Sequence, residues 1–109
     1  MNITFEETTN ATVANLAGRL DSANSPSVEA ELLGRLGNGG FILDVSRLDY
    51  ISSAGLRVVL ILAKRMKQSG KTFFMAGMQP HIRDVFEISG FLGILDVAES
   101  RDDALARLA

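Results

Sequence analysis

The sequence predicts an α/β domain in which an opening β-hairpin is followed by strands and helices in alternation, giving a mixed, mostly parallel sheet of about five strands with about four helices. Three observations carry this expectation. The run Phe41-Ile42-Leu43-Asp44-Val45 is short, apolar and bounded by glycine, as a strand buried on both faces is. Segments of helical spacing open at Ser25-Pro26, at Ser53 and at Pro80. The two patterns then take turns along the chain, and each crossover between parallel strands has to be right-handed.

In chain order, Ile3 and Phe5 alternate with polar neighbours, and Val13, Leu16 and Ala17 follow a Thr-Asn-Ala turn, so the first two strands form a hairpin. Proline stands in the first turn of Ser25-Pro26-Ser27, and Val28, Leu32, Leu33 and Leu36 continue at helical spacing until Gly37 and Gly39-Gly40. Phe41 to Val45 is the central strand, and the connection from Asp44 to Ser53 reads as a loop at its carboxyl end, where such sheets carry function. The longest helix spans Ser53 to Ser69, with Leu56, Val59, Leu60, Ala63 and Met66 on one face. Val58, Ile61 and Leu62 widen that apolar arc, and Gly70 ends the helix. Thr72 to Ala76 is a strand, Pro80 opens a third helix with Ile82, Val85 and Phe86 inward as far as Gly90, Ile94 to Ala98 is a short last strand, and Asp102 to Leu108 a last helix. Turn residues recur singly, with no repeat, low-complexity tract or linker, so residues 1–109 read as one domain.

Composition narrows the function classes. With 47% hydrophobic and 22% charged residues in 109, the chain has the makeup of a globular protein with room for one core. A net charge of −2 lacks the basic excess that neutralises phosphates, so nucleic acid is not an expected partner. Lys64, Arg65, Lys67 and Lys71 gather where the long helix ends, and cations there complement the helix dipole. Without cysteine there is no disulfide, thiolate nucleophile or Cys-ligated zinc. Residues Met1 to Glu7 have neither a basic nor an apolar leader pattern, and the longest apolar run, Val58 to Ala63, is too short for a bilayer, which makes a cytoplasmic, membrane-free location the expectation.

The residues that bear on chemistry lie between Asp44 and Leu56. A serine at the start of the long helix, Ser53, meets backbone N–H groups without intrahelical partners, so its hydroxyl can cap the helix. A phosphate there is tolerated by the same N–H groups and by the dipole, and the small Ala54 and Gly55 leave the backbone open to close approach. Asp21 and Asp44 are expected to end strands on one rim, where they fix loop geometry and shape the surface. Two carboxylates fall short of a hard-cation ligand set, so no metal and no cofactor are expected. A serine hydrolase needs a base beside its nucleophile, and no histidine follows Ser53 in a plausible position, so the chain reads as a binding module and not an enzyme. His81, the only histidine, is expected to be an exposed first-turn residue.

The segment Asp44-Val45-Ser46-Arg47-Leu48-Asp49-Tyr50-Ile51-Ser52-Ser53-Ala54-Gly55-Leu56 resembles the signature of the STAS family, in which a strand with a terminal acidic residue leads to a serine two positions before a Gly-Leu pair. Gly18-Arg19-Leu20-Asp21 and the stretch Pro80 to Phe91 add flanking blocks in the family's order, so the resemblance covers nearly the whole chain. It implies an anti-sigma-factor antagonist with Ser53 in the phosphoacceptor position and with Asp21, Asp44, Ser52, Ala54, Gly55 and Leu56 around it. Implied partners are an anti-sigma factor with serine kinase activity and a cognate phosphatase. The chain departs from the family pattern at Ser52, where aspartate is frequent, and at Ala54, where Ser or Thr is frequent. The resemblance also admits a subunit of a lipid-transport or stress-signalling complex, in which Ser53 would only cap a helix, and the cytoplasmic end of an anion transporter, which the lack of a membrane span disfavours.

Overall fold

A strand of ten residues, Ala11–Leu20, six of them buried, is paired on both sides and organises the sheet. The computed structural model describes residues 1–37 and 39–108. Its elements run β1 (Asn2–Glu7), β2 (Ala11–Leu20), α1 (Ser25–Leu33), β3 (Gly40–Ile51), α2 (Ser53–Gln68), β4 (Phe73–Ala76), α3 (Pro80–Ile88), a 3-10 turn (Leu92–Ile94), β5 (Val97–Ala98) and α4 (Arg101–Leu108). The five strands lie side by side in chain order. β1 is antiparallel to β2, and every later pairing is parallel.

Strand order decides where the helices go. A right-handed crossover repeated in one direction across a sheet returns each helix to the same face. Accordingly Val28 and Leu32 of α1, Val59, Leu62 and Met66 of α2, and Ile82 and Phe86 of α3 pack in one cluster with Leu16, Phe41, Leu43 and Val45. The opposite face is left to α4, whose Ala104 is fully buried with Val13, Ile42, Phe74 and Ala98. Alternation along β3 therefore sends Leu43 to the helix-covered side and its neighbours Ile42 and Asp44 to the α4 side.

Four expectations are corrected. β3 does not stop near Val45: it continues through the supposed loop to Ile51, paired with Ala17, Gly18, Arg19 and Leu20. Between Asn15↔Asp44 and Ala17↔Arg47, and again between Gly18↔Leu48 and Arg19↔Tyr50, β3 advances one residue further than β2. These two bulges space the buried residues Val45, Leu48 and Ile51 by three, which hides the strand from a search for period two. Gly18, at the second bulge, has φ +106°, a conformation costly for any residue with a Cβ. Next, α1 ends at Leu33, with Gly34 donating to the Ala30 carbonyl, so Leu36 lies beyond it. The last strand shrinks to Val97–Ala98 because residues 92–94 turn as a 3-10 helix. Finally, the buried face of α2 is Gly55, Leu56, Val58, Val59, Leu62 and Met66, while Leu60 is half-buried.

β4 reaches only Asp44 of β3, so the second half of β3 would present a bare edge. Side chains at the head of α3 cover it. Gln79 Nε2 donates to the carbonyls of Ser46 (3.2 Å) and Leu48 (2.9 Å), and His81 Nε2 donates to that of Asp49 (2.7 Å). His81 is exposed in the first turn of α3, as expected, and its ring is part of this edge.

Candidate functional site

The bulged end of β3 delivers the chain to α2 beside the end of β2. Ser52 N–H donates to the Leu20 carbonyl at 2.9 Å, which pins the strand-to-helix junction to the neighbouring strand. Ser52 itself is extended (φ −91°, ψ 175°) and its Oγ accepts from Gly55 N–H at 3.2 Å. Ser52 is therefore the N-cap of α2, a role assigned above to Ser53. Ser53 is the first helical residue; it is exposed, and its hydroxyl makes no side-chain hydrogen bond among the described residues. One serine closes the helix and the other stands free in solvent.

Gly55 sets how closely α2 approaches the sheet. A Cβ there would lie 2.7 Å from Ile51 Cγ1, 2.9 Å from Leu20 Cγ and 3.0 Å from the Leu20 carbonyl oxygen, so only glycine lets the first turn sit on the ends of β2 and β3. Leu56 is buried behind it and Ala54 is half-buried, leaving Ser53 as the exposed residue of the Ser53-Ala54-Gly55-Leu56 turn. At the ends of β2 and β3, where Arg19 pairs with Tyr50, the Arg19 guanidinium stacks 4.1 Å from the centroid of the Tyr50 ring, and both side chains are exposed. A shallow groove between α1 and α2 is lined by Ser22, Ser25, Pro26, Glu29, Ala54 and Arg57.

The two aspartates do not share a rim. Asp21 follows β2 on the helix-covered side, where Oδ1 accepts from the N–H groups of Ala23 (3.0 Å) and Asn24 (3.1 Å) and so shapes the entry to α1. Asp44 lies in mid-strand and faces the α4 side, away from Ser53. Its Oδ1 accepts from Ser46 N–H (2.9 Å) and Oγ (2.7 Å), fixing the first bulge. The expectation that Asp44 ends a strand near Ser53 failed because the strand continues through two bulges. Around Asp44 a polar cavity of about 410 Å³ is lined by Thr4, Glu6, Asn15, Ser46, Arg47 and Arg101, with Glu6 and Arg101 in a bidentate ion pair. The Arg101 guanidinium holds the Glu6 carboxyl below the usual glutamate range.

Sequence reasoning missed Arg57 in the early turns of α2 and the Arg19–Tyr50 stack at the ends of β2 and β3. Arg57 had a legible signal, four residues after Ser53 on a predicted helix; the Arg19–Tyr50 stack depends on a bulged register that no periodicity reveals.

Residues 2–104 match the STAS domain. The chain belongs to the STAS domain family. Among STAS relatives, BtrV of Bordetella bronchiseptica, named provisionally as an anti-sigma factor antagonist, is 46% identical over 97% of this chain and 93% of its own length. An anti-sigma factor antagonist from Mycobacterium paratuberculosis has the same STAS fold, with a TM-score of 0.89 at 17% identity over 98% of this chain and 92% of that one. The Bacillus cell fate determinant SpoIIAA in its phosphorylated form superposes with a TM-score of 0.72 at 22% identity, over 99% and 100% of the two chains. No helix among the described residues is long and apolar enough to cross a membrane.

Proposed function

We propose that this chain is an anti-sigma-factor antagonist switched at Ser53. Unmodified, it binds an anti-sigma factor with serine kinase activity and so frees a sigma factor; phosphorylated at Ser53, it lets that partner go, and a cognate phosphatase resets it. The protein acts by binding in the cytoplasm and performs no catalysis of its own. The observation that carries the reading is the division of labour at the head of α2: Ser52 holds the cap, so the Ser53 hydroxyl is exposed and can be modified without dismantling the helix. Family membership and the name of the 46% identical relative support the partner class.

A kinase places its active-site cleft over one exposed hydroxyl, and here the exposed hydroxyl is that of Ser53, since the Ser52 Oγ is turned toward Gly55 N–H. Incubation with the organism's own anti-sigma kinase and ATP should add one phosphate by intact mass. Ser53→Ala should abolish incorporation, while Ser52→Ala should keep most of it; a phosphate mapped to Ser52, or none at all, would refute the assignment.

A further inference from the structure

Arg57 stands four residues after Ser53 and is exposed, with no hydrogen bond or ion pair among the described residues. We propose that Arg57 is the internal counter-ion for a phosphate on Ser53, so that modification changes two charges on this face: a dianion appears and a free guanidinium is withdrawn. This inference rests on the reading of Ser53 as the acceptor.

Residues four apart on a helix lie one above the other, with Cβ atoms about 5–6 Å apart. Long side chains on a helix lean toward its N-terminus, which directs Arg57 over the turn that begins with Ser53. A guanidinium also matches phosphate oxygens bidentately, which an ammonium cannot do. Other cations are committed or remote. Arg19 is stacked on Tyr50. Lys64, Arg65 and Lys67 belong to the later turns of α2, and Lys71 Nζ donates to the Gly37 carbonyl beyond its end.

The charged groups facing this turn from neighbouring elements are few. On α1, Glu29 lines the groove with Arg57, yet it forms no ion pair with it among the described residues. At the β2–α1 junction the Asp21 carboxylate is engaged by the Ala23 and Asn24 N–H groups. A phosphate on Ser53 thus competes with Glu29 alone for Arg57, and brings more charge and more acceptor oxygens. In the unmodified protein the same guanidinium is available to a docking partner.

The test uses full-length protein with phosphoserine installed at position 53 during translation, followed by ³¹P resonance through a pH titration. The second ionisation of phosphoserine ordinarily falls at about 6, and an adjacent cation stabilises the dianion and lowers it. The parent should titrate about half a unit or more below its R57Q variant at low salt, with the gap narrowing as salt rises and R57K in between. Both proteins share the same helix terminus, so the difference isolates Arg57. Equal titration in parent and R57Q would overturn the proposal. Because the phosphate is installed without a kinase, this result is separate from whether the cognate kinase modifies Ser53: failure of enzymatic phosphorylation would sink the acceptor reading, and an unshifted titration would sink only the role of Arg57.

Discussion

At the scale of single residues, adjacent serines with the same chemistry do different work because their backbones differ. Ser52 is extended and accepts from Gly55 N–H; Ser53 has entered the helix and faces solvent. Loss of an N-cap side chain costs about 0.5–2 kcal/mol, whereas an exposed substitution without special contacts stays within about 0.5 kcal/mol. Ser52→Ala should therefore lower the urea midpoint measurably and Ser53→Ala should leave it nearly unchanged, the reverse of their effects on phosphate incorporation. Equal midpoints would mean that the Ser52 cap contributes nothing in solution. The resemblance to the STAS signature implied Ser53 as the acceptor, but which serine caps the helix is a matter of φ and ψ that neither residue's identity reveals. From sequence Gly55 read as a small residue that leaves the backbone open to close approach; in the structure it is buried, and what approaches it is the Leu20 carbonyl and the Ile51 side chain, contacts that lie across two strands.

At the scale of elements, the order of strands and helices was readable because each has its own period, and the miss at β3 has a definite physical source. Two bulges convert alternate burial into a spacing of three at Val45, Leu48 and Ile51, so a strand looked like a loop, and Asp44 was assigned to the wrong end and the wrong face. The tie between β1 and α4 was equally invisible, since Glu6 and Arg101 are 95 residues apart. That ion pair makes a pH prediction. The Glu6 carboxyl is held below its usual range chiefly by hydrogen bonding from Arg101, so the pair contributes stability above the unfolded glutamate pKa of about 4.3, and that contribution is lost as pH falls through the lowered folded value. Glu6→Gln should melt below the parent at neutral pH, and the gap should close as the solution is acidified below that range. A gap that persists in acid would show that Glu6 acts by packing and not by charge.

At the scale of the whole molecule, the question is whether a phosphate on Ser53 would act by reshaping the fold or by blocking a surface. The STAS fold recurs here at 17% and 22% identity, so the framework tolerates wide sequence change, and a function has to be argued from the site and not from the fold. Ser53 opens a 16-residue helix, α2, whose inner face is locked into the main cluster by Leu56, Val59, Leu62 and Met66. A dianion at that terminus interacts favourably with the helix dipole by about 0.3–1 kcal/mol, far too little to repack such a helix. Between two docked proteins the same dianion has to be desolvated or expelled; one guanidinium balances only one of its two charges, and burying a charge left uncompensated costs about 2–5 kcal/mol. At about 1.4 kcal/mol per tenfold, the second effect weakens binding by roughly 30-fold to several thousand-fold. The surface term is the larger by a wide margin. Phospho-Ser53 protein should therefore melt within a few degrees of the unmodified form while binding the anti-sigma kinase at least about 30-fold more weakly. Ser53→Asp should reproduce only part of the loss, because a carboxylate carries less charge and fewer acceptor oxygens than a phosphate. Scanning calorimetry and titration calorimetry on both forms decide between the mechanisms: a large fall in melting temperature would point to unfolding of the head of α2, and unchanged affinity would place the partner elsewhere on the molecule.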